Sequence, residues 1–193
     1  MTRFISCTLI CLLTASFGFA QKKDTPKKYD NPNVTITGEH REIGNPLPPV
    51  NLLLQTGDYF TDENLEKDKP ILLMMFNPTC GHCEDQTDSM IAHRDELKNF
   101  QVIMVISDKM PDDQVKRFIR IHNLGLAPEF VLGIDKSHII DNAFKFQGLP
   151  QINIYDKNKT LKKIFVHMTP IDSLRTALTD ETPQESLPPN ATK

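Results

Sequence analysis

At 193 residues, 39% of them hydrophobic, the chain is long enough to bury one sizeable core. A formal net charge of −3 provides no basic excess with which to grip a phosphate backbone, which argues against nucleic-acid binding.

Residues 1–20 carry Arg3, an apolar run over residues 4–17 and then Gly18-Phe19-Ala20. This is the pattern of a cleaved export signal, too short for a stable membrane span, with the cut expected near Ala20. The mature chain is then expected outside the cytoplasm, in the periplasm, with no stable membrane insertion. Loss of Arg3 makes it one unit more negative, and Cys7 and Cys11 leave with the same segment, so only Cys80 and Cys83 remain. A loop closed by cysteines two residues apart adds little chain-entropy stabilisation, so the pair reads as chemistry rather than as a staple.

Residues 21–42 read as a polar linker with a short strand at Val34-Thr-Ile-Thr37, and Pro46, Pro48 and Pro49 impose an extended crossing. Residues 51–60 read as strand, turn and strand, with Gly57 supplying the turn. The unbroken apolar run Ile71-Leu-Leu-Met-Met-Phe76 is the signature of a strand buried on both faces. A helix from about Cys83 to Leu97 then places Cys83, Met90, Ile91 and Leu97 on one side. A second buried strand covers residues 102–106. Pro111 and Asp112 open a helix in which Val115, Phe118, Ile119 and His122 follow helical spacing, ended by Gly125.

Residues 130–132 form a short strand, and Ile140, Ala143, Phe144 and Gln147 mark a helix that stops near Gly148. Residues 151–155 and 161–166 make a hairpin around Asp156-Lys-Asn-Lys159, and Ile171, Leu174 and Leu178 mark a last helix. The segment 181–193, rich in Pro and polar residues, reads as a disordered tail. The order of elements predicts an α/β fold, a mixed central sheet with helices on both faces.

Cys80 falls where the central strand gives way to a helix. There the first backbone N–H groups lack partners and the helix dipole is positive, so a thiolate is stabilised relative to a thiol. With Cys80 as N-cap, its sulfur is placed to accept the N–H of Cys83. This makes Cys80 the nucleophile and Cys83 a sheltered resolving thiol. Between them, Gly81 and His82 tune the pair: His82 can donate to the Cys80 thiolate, or attract it when protonated, which favours the dithiol and makes the disulfide more oxidising. Glu84 and Asp85 read as solvated carboxylates of the first turn, and His122 as a satisfied core or boundary residue.

The lead-in Gly44-Asn-Pro-Leu-Pro-Pro-Val50, the strand into Cys80-Gly-His-Cys83, and Gly148-Leu-Pro-Gln-Ile-Asn-Ile-Tyr-Asp156 together carry a family resemblance. Over residues 43–178 the chain resembles the thioredoxin-fold proteins of the extracytoplasmic TlpA-like class, grouped with AhpC/TSA-related domains. The resemblance implies a thioredoxin-like domain over residues 43–180, with an N-terminal β-hairpin and an inserted helix and strand at residues 111–132. It implies thiol-disulfide exchange, with no cofactor and no metal. Disulfide-containing envelope proteins would be the partners, together with an upstream thiol reductant. It also places Pro150 as a cis proline facing the cysteines, with Leu149 offering backbone groups to a peptide and Thr79 flanking the thiol.

Two positions depart from the thioredoxin pattern. Thr79 stands where a Trp precedes the first cysteine, and Met74 replaces the buried acid, which leaves the proton acceptor for Cys83 unassigned. Other classes remain open. Copper delivery would resemble a Cys-x-x-x-Cys pattern that the chain beyond residue 20 lacks, and a peroxidase would resemble a Thr three residues before the cysteine, where Asn77 stands. A peptide-binding module without catalysis would be expected to lose one cysteine.

Overall fold

The computed structural model describes residues 38–144 and 148–177. The expected export signal, Val34–Thr37 strand and tail, together with Gln147 and Leu178, all lie outside them.

Seven strands form one sheet in the order β2-β1-β5-β4-β3-β6-β7. Their spans are β1 Asn51–Leu54, β2 Tyr59–Thr61, β3 Ile71–Phe76, β4 Gln101–Ser107, β5 Phe130–Asp135, β6 Gln151–Tyr155 and β7 Leu161–Val166. Strands β3, β4 and β5 run parallel, with Ile71 opposite Gln101 and Val102 opposite Phe130, while the outer pairings are antiparallel. The sheet is therefore mixed. Gly57, at φ +87°, closes the β1–β2 hairpin, its N–H donating to the Leu54 carbonyl at 3.0 Å.

The pattern in β3 explains its central place. All six of its residues are at most 4% exposed, because successive side chains alternate between two cores. Leu72, Met74 and Phe76 join one core, which also takes Cys83, Met90, Phe118 and Leu174. Ile71, Leu73 and Met75 join the other, with Ile140 and Tyr155. Helices α1 (Gly81–Ala92), α2 (Arg94–Leu97), α3 (Asp112–Ile121) and α5 (Ile171–Thr176) cover the first face, and α4 (Ile139–Ala143) lies on the second.

Several boundaries differ from the sequence reading. The long helix expected to Leu97 breaks at His93, whose Nδ1 lies 2.9 Å from the Ser89 carbonyl, so the chain turns before α2. Helix α3 ends at Ile121, and Asn123, in the left-handed region at φ 51°, turns the chain; Gly125 falls inside the following 3-10 turn. Strand β5 runs on to Asp135, whose carboxylate accepts the Ile140 N–H at 2.8 Å and so starts α4. Helix α4 ends at Ala143, with Phe144 already extended. Within the segment read as linker, Gly38–Arg41 forms a 3-10 turn, and Arg41 donates to the carbonyls of Asn142 and Ala143 at 3.1 Å each.

Candidate active site

The loop after β3 is closed by one side chain. The Asn77 carboxamide oxygen accepts the Thr79 N–H at 2.8 Å and the Thr79 hydroxyl at 2.9 Å, and the Asn77 carbonyl accepts the Cys80 N–H at 3.1 Å. Such an Asx-type turn delivers Cys80 to the N-cap of α1 with an extended backbone.

The cap differs from the one expected. The Cys83 N–H donates to the Cys80 carbonyl at 2.9 Å, shared with the Glu84 N–H at 3.0 Å, and the Cys80 thiol makes no cap bond. A carbonyl at the N-cap already stands where the first intrahelical bond forms, so the larger, weaker sulfur acceptor is displaced.

Both cysteines are free thiols, Cys80 partly exposed and Cys83 0% exposed. Burial pushes the Cys83 thiol up to about 12; the Cys80 sulfur beside it adds to this, and a bond from the Asn77 backbone opposes it. Gly81, His82 and Thr79 are exposed around the pair, and His82 makes no hydrogen bond or ion pair among the described residues. Met74 is wholly buried, and the carboxylate acting electrostatically on Cys83 is that of Glu84, which is half-buried and 4.0 Å from Arg117.

These differences in exposure predict an order of modification. Brief iodoacetamide treatment of the reduced protein should label Cys80 and spare Cys83, read by peptide mass mapping. Preferential labelling of Cys83 would contradict this.

The β3–β6 register brings the second half of the site into place. Met75 pairs with Gln151, so Leu149 and Pro150 lie alongside the end of β3. The Leu149–Pro150 peptide is cis. Leu149 packs against both cores, and its backbone N–H and carbonyl have no partner among the described residues. The Pro150 carbonyl accepts the His167 N–H at 2.8 Å, and the His167 ring leaves no room for a Cβ at Gly148.

One residue that joins the two halves escaped the sequence reading. Gln86, 0% exposed on α1, accepts the Thr169 N–H at 2.6 Å and donates to the Thr169 carbonyl at 3.2 Å. The Thr169 hydroxyl in turn donates to the His167 carbonyl at 3.2 Å. Helix α1 is thereby tied, through Thr169 and His167, to the Pro150 loop. The available signal was an amide three residues after Cys83, on the face of α1 that packs against the core.

His122 also departs from expectation. It is 5% exposed, with Nδ1 2.6 Å from Asp88 and its ring 4.4 Å from that of Phe118, but its buried Nε2 has no partner among the described residues. It is therefore only half satisfied. Among the described residues no three His, Cys, Asp or Glu side chains gather as a metal site, and no helix is long and apolar enough to cross a membrane.

The AhpC/TSA family profile matches residues 43–164. Among solved structures, a thiol:disulfide interchange protein of the thioredoxin family from Chlorobium tepidum is similar, with a TM-score of 0.58 and 13% identity over 72% of this chain and 96% of that one. A secreted Mycobacterium tuberculosis disulfide oxidoreductase is similar with a TM-score of 0.55 and 16% identity, over 67% and 93%. A thio-disulfide isomerase from Thermus thermophilus is similar with a TM-score of 0.55 and 19% identity, over 72% and 95%. These likenesses show the thioredoxin fold. No curated protein sequence matches the chain.

Proposed function

Since the chain belongs to the AhpC/TSA family and has the thioredoxin fold, we propose that it is an exported thiol-disulfide oxidoreductase that acts on disulfides of envelope proteins. The observation that carries this reading is the pairing of a partly exposed Cys80 with a buried free Cys83, one helical turn on and beside the open Leu149 backbone.

The Cys80 thiolate attacks one sulfur of a substrate disulfide, forming a mixed disulfide and releasing the other substrate sulfur as a thiolate, which takes a proton. Cys83 gives up its proton and attacks Cys80. The substrate leaves as a dithiol, and the two electrons it has gained come from the cysteine pair, now a disulfide. An upstream dithiol donor reduces that disulfide and completes the cycle. The Arg3 to Ala20 segment supports export, and the Mycobacterium neighbour is itself secreted.

Turnover tests this reading. The protein should accelerate reduction of insulin disulfides by dithiothreitol, and Cys80→Ser should abolish the acceleration. Rapid peroxide consumption without insulin reduction would instead indicate a peroxidase, and tight copper binding by the reduced pair without turnover a metal carrier.

The exposed His82 sets a further expectation. The couple should lie roughly between −180 and −270 mV, and His82→Pro should lower it by removing an imidazole expected to favour the Cys80 thiolate. A wild-type value already below that of thioredoxin would remove His82 from the account.

A further inference from the structure

We propose that a cavity beside the redox loop is a side-chain pocket that selects substrates with a large, flexible apolar residue two positions from the cysteine that Cys80 attacks. The inference rests on the oxidoreductase reading above. The cavity, about 360 Å³, opens where β3 and β4 end. Met75 and Val105, both buried in the sheet, lie at its floor; half-exposed Met110 and Leu149 form walls, and Asn77 and Asn142 bring neutral amides to the rim. Its size is at the lower end for ligand pockets, suited to one or two large side chains.

Reach fixes which substrate residue enters. The bond from the Cys80 N–H to the Asn77 carbonyl closes a turn, so the two Cα atoms lie within about 7 Å. In an extended peptide, side chains two residues apart share one face at a spacing of about 7 Å. A segment paired with the open Leu149 backbone, with its cysteine at Cys80, therefore projects the residue two positions away over the Asn77 wall and into the cavity.

Chemistry fixes its type. Two thioethers, Met75 and Met110, give an adaptable lining that takes flexible apolar groups. Lys109 is the sole charged side chain among the described lining residues. It is exposed and has no ion pair among the described residues, whereas Lys69, Lys116 and Lys162 pair with Glu66, Asp112 and Asp156. A cationic occupant would be repelled.

The test uses extended peptides whose single cysteine is disulfide-linked to thionitrobenzoate, with Leu, Gly or Lys at both positions two residues from it. Attack by reduced protein on the peptide sulfur forms the mixed disulfide and releases coloured thionitrobenzoate. The Leu peptide should react roughly tenfold faster than the Gly peptide, and the Lys peptide slower than Gly. Met110→Trp, which fills the cavity, should bring the Leu-to-Gly ratio near one. If that variant fails to fold, Asn142→Trp, at an exposed helical position, replaces it. Equal Leu and Gly rates in the wild type, or a ratio unchanged by filling, would overturn the pocket while leaving the oxidoreductase reading intact. No release even from dithiobis-nitrobenzoate would overturn both.

Discussion

A Cys83→Ser variant should accumulate covalently attached to envelope proteins, as adducts that vanish on a reducing gel. The nucleophile is untouched, because Cys80 keeps its place at the N-cap of α1 and its exposure. What disappears is the thiol one turn along α1 that would attack Cys80 intramolecularly. An internal thiol acts at an effective concentration far above that of free thiols in solution, so release should slow by about a hundredfold or more. Cys80→Ser should give no adducts. Absence of Cys80-dependent adducts in Cys83→Ser would argue for a binding module or a metal carrier. The buried thiol adds a pH signature in the wild type. Burial, the largest cause holding the Cys83 thiol above its ordinary range, persists when Cys80 is tied up in the mixed disulfide, so Cys83 is protonated at neutral pH, and only its thiolate can resolve the adduct. The rate of release in single turnovers should therefore rise by about tenfold per pH unit through the neutral range, and a flat profile would contradict that.

A large loss of stability should follow from Gln86→Leu. The change puts an apolar side chain of similar size in place of the amide on α1 and strips the Thr169 N–H and carbonyl of their partners. Each buried backbone group left unpaired costs about 1–3 kcal/mol, so the variant should lose about 2–5 kcal/mol and melt roughly 10 °C lower. Gln86→Glu retains an acceptor for the Thr169 N–H and gives up the donor to its carbonyl, so it should fall between the two. Thermal unfolding of the three proteins checks the order. A loss below about 0.5 kcal/mol for Gln86→Leu would mean that water replaces the amide.

The sheet was legible because β3 and β4 are continuous apolar runs and because Gly57 and Asp156 mark hairpin turns, signals that depend on local chemistry. Helix ends were less so. His93 stops α1 through a bond to Ser89, and Asn123 turns the chain where a glycine two residues later looked the better stop, so local geometry overrode the more obvious residue. At the site, a strand leading into two cysteines separated by Gly81 and His82 was visible from spacing alone. Gln86 was not, because its partner is a backbone group 83 residues away and no local pattern encodes that meeting. The half-satisfied His122 was hidden for the same reason: Asp88 lies 34 residues before it, on another helix.

Cys80 and Cys83 should behave as one reversible two-electron couple. This is checked by equilibrating the protein across glutathione buffers, followed by acid quench, alkylation and mass mapping. A single transition is expected in which both thiols disappear together, the oxidised protein is two hydrogens lighter, and the peptides carrying Cys80 and Cys83 are joined. Glutathione left attached to Cys80 while Cys83 stays a free thiol, with no internal link at any ratio, would contradict it.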